Sequence, residues 1–117
     1  MESNIYGKTV VDIIKMVKEH VTRDGNYTAM TLVTDIKNND ITSKPWEEPK
    51  RSLIDNYVNP DIVSILQDVG FKFEFYPYRT HSVEKNGVNV EVVDTWALAL
   101  IWYRWTKLSE IFRHYKV

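Results

Sequence analysis

Gly7-Lys8-Thr9 is the first segment of this 117-residue chain that resembles a ligand-binding motif. It matches the end of a phosphate-binding loop, in which backbone N–H groups cradle phosphate and the lysine reaches its outer oxygens. The full pattern needs a glycine five residues earlier, and that position is Glu2. There is also no room for a preceding strand, so too few amides converge to surround a phosphate. His20, His81 and His114 are scattered, and none pairs with a second ligand at a recognised metal spacing. They read as surface histidines. Cysteine is absent, which excludes disulfides, thiolate metal sites and cysteine nucleophiles. No serine sits in the strand–turn–helix elbow that exposes a nucleophile. Glu47 and Glu48 read as solvated acids, since acid catalysis needs two carboxylates held across a cleft. The expectation is a non-enzymatic protein without metal or cofactor.

The densest grouping of another kind is Trp96, Trp102, Tyr103, Arg104 and Trp105. Trp, Tyr and Arg are the residue types enriched at binding hot spots. With Phe112, residues Trp96, Trp102, Arg104 and Trp105 form the candidate interaction surface, either for a partner or for a second copy. The competing reading is that these tryptophans pack the core. Aromatic residues make up 13% of the chain, a large area for one small domain to bury. Arg104, Lys107, Arg113 and Lys116 stand against Glu110 as the only acid beyond residue 100. These four cations are the candidate phosphate contacts of an alternative nucleic-acid or nucleotide binder, with Tyr103 or Tyr115 to stack on bases. Position 111 is Ile, which breaks the basic stripe, and the net charge is −1, so a domain-wide basic footprint is absent.

These residues must be positioned by the elements around them. Thr9 to Arg23 predicts an amphipathic helix with Val10, Ile13, Ile14, Val17 and Val21 on one face. Thr9 and Asp12 are spaced as a capping box, and Asp24-Gly25 is its expected stop. Tyr27 to Ile36 fits a helix through Ala29, Leu32, Val33 and Ile36 and a strand through Met30, Leu32, Thr34 and Ile36; its threonines and the preceding Gly-Asn favour the strand. Lys37 to Lys50 reads as a polar connector: Asn38-Asn39-Asp40, Pro45 and Pro49 oppose regular structure, and Trp46 is expected to pin it to the core. Ser52 to Tyr57 predicts a short helical turn. A second helix starts at Asn59-Pro60, with Asp61 favouring its first turn, and stops at Gly70. Its apolar face is Ile62, Ile65, Leu66 and Val69.

From Phe71 the apolar period changes to two, with Phe71, Phe73 and Phe75 on one face and Val88, Val90 and Val92 on a second strand. Asn86-Gly87 between them is a strong hairpin signal, giving a hairpin over residues 71–94. Asp94 to Tyr115 predicts a long aromatic helix through Leu98, Ile101, Trp102, Trp105, Leu108, Phe112 and Tyr115. The rival reading continues the strand through Trp96–Trp102, with helix only from Thr106. Ala, Leu and length favour helix.

The expected fold is therefore one α+β domain over residues 1–117. Two or three amphipathic helices pack on a small antiparallel sheet that contains the 71–94 hairpin, and a C-terminal aromatic-rich helix follows. The run Thr95–Tyr103 is too short for a membrane span, and residues 1–6 lack the features of a secretory signal, so a cytosolic protein is expected. The order helix, Asp24-Gly25-Asn26-Tyr27 turn, strand, loop, helix, then Gln67-Asp68-Val69-Gly70-Phe71-Lys72-Phe73 resembles many small bacteriophage-encoded proteins over about residues 9–78. That resemblance implies an accessory protein, a virion component or an inhibitor of a host system. It carries no functional residues with it. The leading reading is an interaction or assembly protein acting as a homo-oligomer.

Overall fold

The computed structural model describes residues 5–22, 27, 29–41, 48–102 and 107–117. The chain order is helix α1 (Val10–Glu19), strand β1 (Ala29–Lys37), helix α2 (Asn38–Ile41), a 3-10 helix (Arg51–Asn56), helix α3 (Pro60–Val69), strands β2 (Phe71–Lys85) and β3 (Val88–Trp102), and helix α4 (Leu108–His114). The class is α+β. The three strands form one antiparallel sheet in the order β1-β3-β2, so the last strand in sequence is the central one.

Local chemistry explains most of the element boundaries. The Thr9 hydroxyl accepts from the Asp12 N–H at 3.1 Å, and the Asp12 carboxylate accepts from the Thr9 N–H at 2.9 Å, which closes the capping box on α1. The Thr9 N–H, and after it the Thr9 side chain, hold the Asp12 carboxyl below its ordinary value. A lowered folded-state pKa stabilises above the unfolded value, and the contribution drains as pH falls through the folded one. The melting advantage of the wild type over Asp12→Asn is therefore expected to be full above the ordinary aspartate value of 3.8 and to shrink below it. Thr9→Ala is expected to cost about 0.5–2 kcal/mol. Thermal melts across that pH range check both, and a pH-independent difference would refute the assignment. The helix ends at Glu19, before the expected Arg23. His20 caps it, donating its backbone N–H to Val17 and Lys18. The Asp24-Gly25 stop lies outside the described residues.

The Asn59 side chain accepts from the Asp61 N–H at 2.9 Å, Pro60 opens α3, and Gly70 ends it at φ 122°. A φ of that sign is one that glycine adopts without strain. Asn86 and Gly87 turn the β2–β3 hairpin with φ of 54° and 77°, the doubly positive geometry of a tight hairpin turn.

Two expectations are corrected. Asn38-Asn39-Asp40 does not interrupt regular structure but begins the short helix α2. The reason is tertiary: Asn38 is buried, and the Trp96 indole N–H donates to its side-chain oxygen at 2.8 Å. The helix expected over residues 94–115 is also shorter. Residues 94–102 are strand, and helix begins only at Leu108. The apolar run Trp96–Trp102 satisfies helical spacing, but it also suits a central strand flanked on both sides. Pairing with β1 (Met30 opposite Leu100, Ile36 opposite Trp96) and with β2 (Phe73 opposite Leu100, Phe75 opposite Leu98) overrides the helix preference of its Ala and Leu residues.

One face of the sheet carries Phe71, Phe73, Leu98, Leu100 and Trp96, all buried, with Phe75 and Trp102 half-buried. Ile13, Ile14 and Val17 of α1, Val63 and Leu66 of α3, and Ile54, Tyr57 and Val58 join them in one core. Tyr27 donates its hydroxyl to the Leu100 carbonyl at 2.6 Å, and burial raises its pKa. Lys18 ties the C-terminal segment to α1, donating to the Val117 carbonyl at 2.8 Å and lying 6.0 Å from the Phe112 ring. Among the described residues, no helix is long and apolar enough to cross a membrane.

Candidate functional site

β1 has nine residues, whereas β2 and β3 have fifteen each. Its last partner on β3 is Thr95, opposite Lys37. Beyond that row β2 and β3 continue alone, from Thr80 opposite Val93 to Lys85 opposite Val88. This two-stranded arm projects from the body, and every residue from Pro77 to Glu91 is exposed. The molecule measures 55 × 30 × 24 Å.

The root of the arm is a point of irregular pairing. Register shifts fall between Pro77 and Arg79 and between Arg79 and Thr80, a double bulge of the kind that re-aims a ribbon. Asp35, itself at φ 59°, places a carboxylate oxygen 3.5 Å from the Arg79 Nε, and the Arg79 guanidinium lies 5.8 Å from the Tyr78 ring centre. His81 Nδ1 is 2.8 Å from the Asp94 carboxylate. The Thr95 hydroxyl is buried at the same level without a hydrogen-bond partner.

Residues opposite each other across a ladder share a face, and successive rows alternate. One face of the arm therefore carries His81, Val83, Lys85, Val88, Val90 and Val92. The other carries Thr80, Ser82, Glu84, Asn89, Glu91 and Val93. The Thr80 hydroxyl donates to Glu91 on that polar face at 2.5 Å. Following the rows inward through Arg79 opposite Thr95, the valine face is continuous with the sheet face that the helices leave open. On that open face the hydroxyls of Tyr76 and Thr31 meet at 2.6 Å. Tyr76 on β2 and Thr31 on β1 pair with Ala97 and Ala99 of β3, so the bond bridges the central strand, and both alanines are buried.

The residues singled out by sequence are dispersed. Trp96 is 5% exposed and belongs to the core, so it does not form an exposed patch. Trp102 is half-buried, with its ring centre 4.8 Å from that of Phe71. Phe112 packs half-buried against the core. Arg104 and Trp105 lie outside the described residues, as does Trp46. Lys107, Arg113 and Lys116 are exposed. Arg113 and His114 occupy the last turn of α4, where a cation already complements the helix dipole. His20 Nδ1 lies 2.9 Å from the Met16 carbonyl, an ordinary helix-end contact. The residues that sequence reasoning passed over are Val83, Val88 and Val90 as an exposed set. Their alternation was visible, but their lack of cover was not.

A cleft of about 300 Å³ lies beside the outer edge of β2. Ile54, Phe73, Phe75 and Trp96 line it together with Pro49, and Glu48, Arg51 and Glu74 supply its charges. No histidine or hydroxyl residue is among these lining residues. No group of three or more His, Asp or Glu that could hold a metal occurs among the described residues. The arm is therefore the most distinctive surface. Comparison with known protein families, curated proteins and solved structures finds no match for this chain.

Proposed function

We propose that this chain is a non-enzymatic interaction or assembly protein that associates with itself. The observation that carries the reading is the arm: an exposed two-stranded ribbon with valines on one face and polar residues on the other. An isolated hairpin is marginal in water, and an uncovered apolar face usually marks a binding surface. The resemblance to phage-encoded accessory proteins supports the same class, a virion component or an inhibitor of a host system acting in a cytosol. The nucleic-acid alternative draws on Arg104, Lys107, Arg113 and Lys116. The arm speaks against it, because Arg79 and Lys85 are outnumbered there by Glu84, Glu91 and Asp94. Light scattering on the purified chain tests self-association. The expected result is a mass above that of one chain that rises with concentration. A single-chain mass persisting at tens of micromolar would sink the reading.

A further inference from the structure

We infer that the cleft beside the outer edge of β2 is a binding site for a small zwitterion with an apolar body, an α-amino acid of the phenylalanine or leucine kind. The inference concerns a surface apart from the arm and does not depend on self-association.

The apolar lining of the cleft is held in place. Ile54, Phe73, Phe75 and Trp96 supply it. The Trp96 ring is fixed by its N–H bond to Asn38, and the Phe75 ring packs edge-on against Tyr57 at 6.4 Å. A lining ordered before the ligand arrives costs little further ordering on binding. The volume of about 300 Å³ stands at the small end of the range for ligand pockets, which favours a small molecule over a segment of polymer.

The charges decide which small molecule. Glu48, Arg51 and Glu74 line the same cleft. Glu74 is already matched, its carboxylate 2.5 Å from the Lys72 ammonium. Among the described residues, neither Glu48 nor Arg51 belongs to an ion pair. The two uncommitted groups have opposite signs. A bare cation would meet Arg51, and a bare anion would meet Glu48. A neutral apolar ligand would strip water from both and return nothing. A ligand with both charges satisfies them together: its ammonium on Glu48, its carboxylate on the Arg51 guanidinium, and its side chain on the apolar lining. β2 has a strand on one side only, so alternate backbone groups along Phe73–Phe75 are also open to hydrogen bonding.

The test is a heteronuclear NMR titration of the full chain with L-phenylalanine, which reads weak binding residue by residue and shows that each variant is folded. Glycine, N-acetyl-phenylalanine and phenylalanine amide are the comparison ligands, and Glu48→Gln and Arg51→Gln are the comparison proteins. L-phenylalanine is expected to give saturable shifts confined to the amides of residues 51–54 and 73–75 and the Trp96 indole, and glycine none. N-acetylation removes the ammonium. It is expected to weaken binding to the wild type about three- to tenfold and to cost nothing further in Glu48→Gln. Amidation removes the carboxylate and is expected to show the same relation to Arg51→Gln. No saturable shift at these positions up to tens of millimolar, or shifts centred elsewhere, overturns the site. Glycine binding as well as phenylalanine overturns the role of the apolar lining. Losses on acetylation and amidation that are the same in wild type and variants overturn the assignment of the two charges.

Discussion

Phe71→Ala lowers the unfolding free energy by about 3–5 kcal/mol, the usual cost of emptying a buried aromatic site. Phe71 is fully buried, the first residue of β2 and opposite Trp102. Its ring meets Tyr27 edge-on at 6.4 Å and Trp102 at 4.8 Å, so the substitution leaves two aromatic neighbours without their partner. Collapse to refill the space is hindered, because Tyr27 is held by its bond to Leu100 and Trp102 by the strand ladder. Against a total stability of about 5–15 kcal/mol the loss is large. For a chain of this size it corresponds to a fall in melting temperature of roughly 10–25 °C. Thermal unfolding followed by circular dichroism measures it, and a fall of only a degree or two would contradict this account of the core.

The second large effect is at Trp96, which the sequence offered both as an interface anchor and as core. The structure buries it, with the indole N–H donating to Asn38. Trp96→Phe keeps most of the apolar area and removes the donor, for an expected loss of about 1–3 kcal/mol. Trp96→Ala adds a cavity, and the loss rises to about 3–5 kcal/mol. Urea unfolding separates the two variants, and their ordering reports how much of the cost is hydrogen bond and how much is volume. Since Asn38 begins α2 where β1 ends, the bond fastens the exit of one strand to the face of another. Both variants should shift stability without shifting the oligomer. A Trp96→Phe protein of unchanged stability but altered mass would return this residue to an interface.

What could be read from the chain beforehand was local. Thr9 with Asp12, Asn59 with Pro60, Gly70, and Asn86-Gly87 each act within a few residues. All four marked boundaries that the fold uses. Trp96–Trp102 has helical spacing, but its state is fixed by strands far away in sequence. Ala29–Lys37 and Phe71–Pro77 flank it on both sides, and that double burial produces the apolar run that mimics a helix. Of the grouped tryptophans, Trp96 is core and Trp102 half-covered, while Trp105 lies outside the described residues. The candidate site was half legible. The alternation of Val88, Val90 and Val92 shows in the sequence, but their exposure depends on β1 stopping at Lys37, and no spacing within the hairpin records that.

The point where β1 ends has a consequence for how this molecule can change over generations. Past Thr80 and Val93 no other strand of the described residues pairs with the hairpin, so its length is set by counting residue pairs. Each added pair would extend the reach by about 3.3 Å and turn the tip to the opposite face. Insertions that keep the valines aligned must therefore come two pairs at a time, in steps of about 7 Å. The arm is in effect a heritable ruler, and its graduations can be altered without re-selecting the core that carries it.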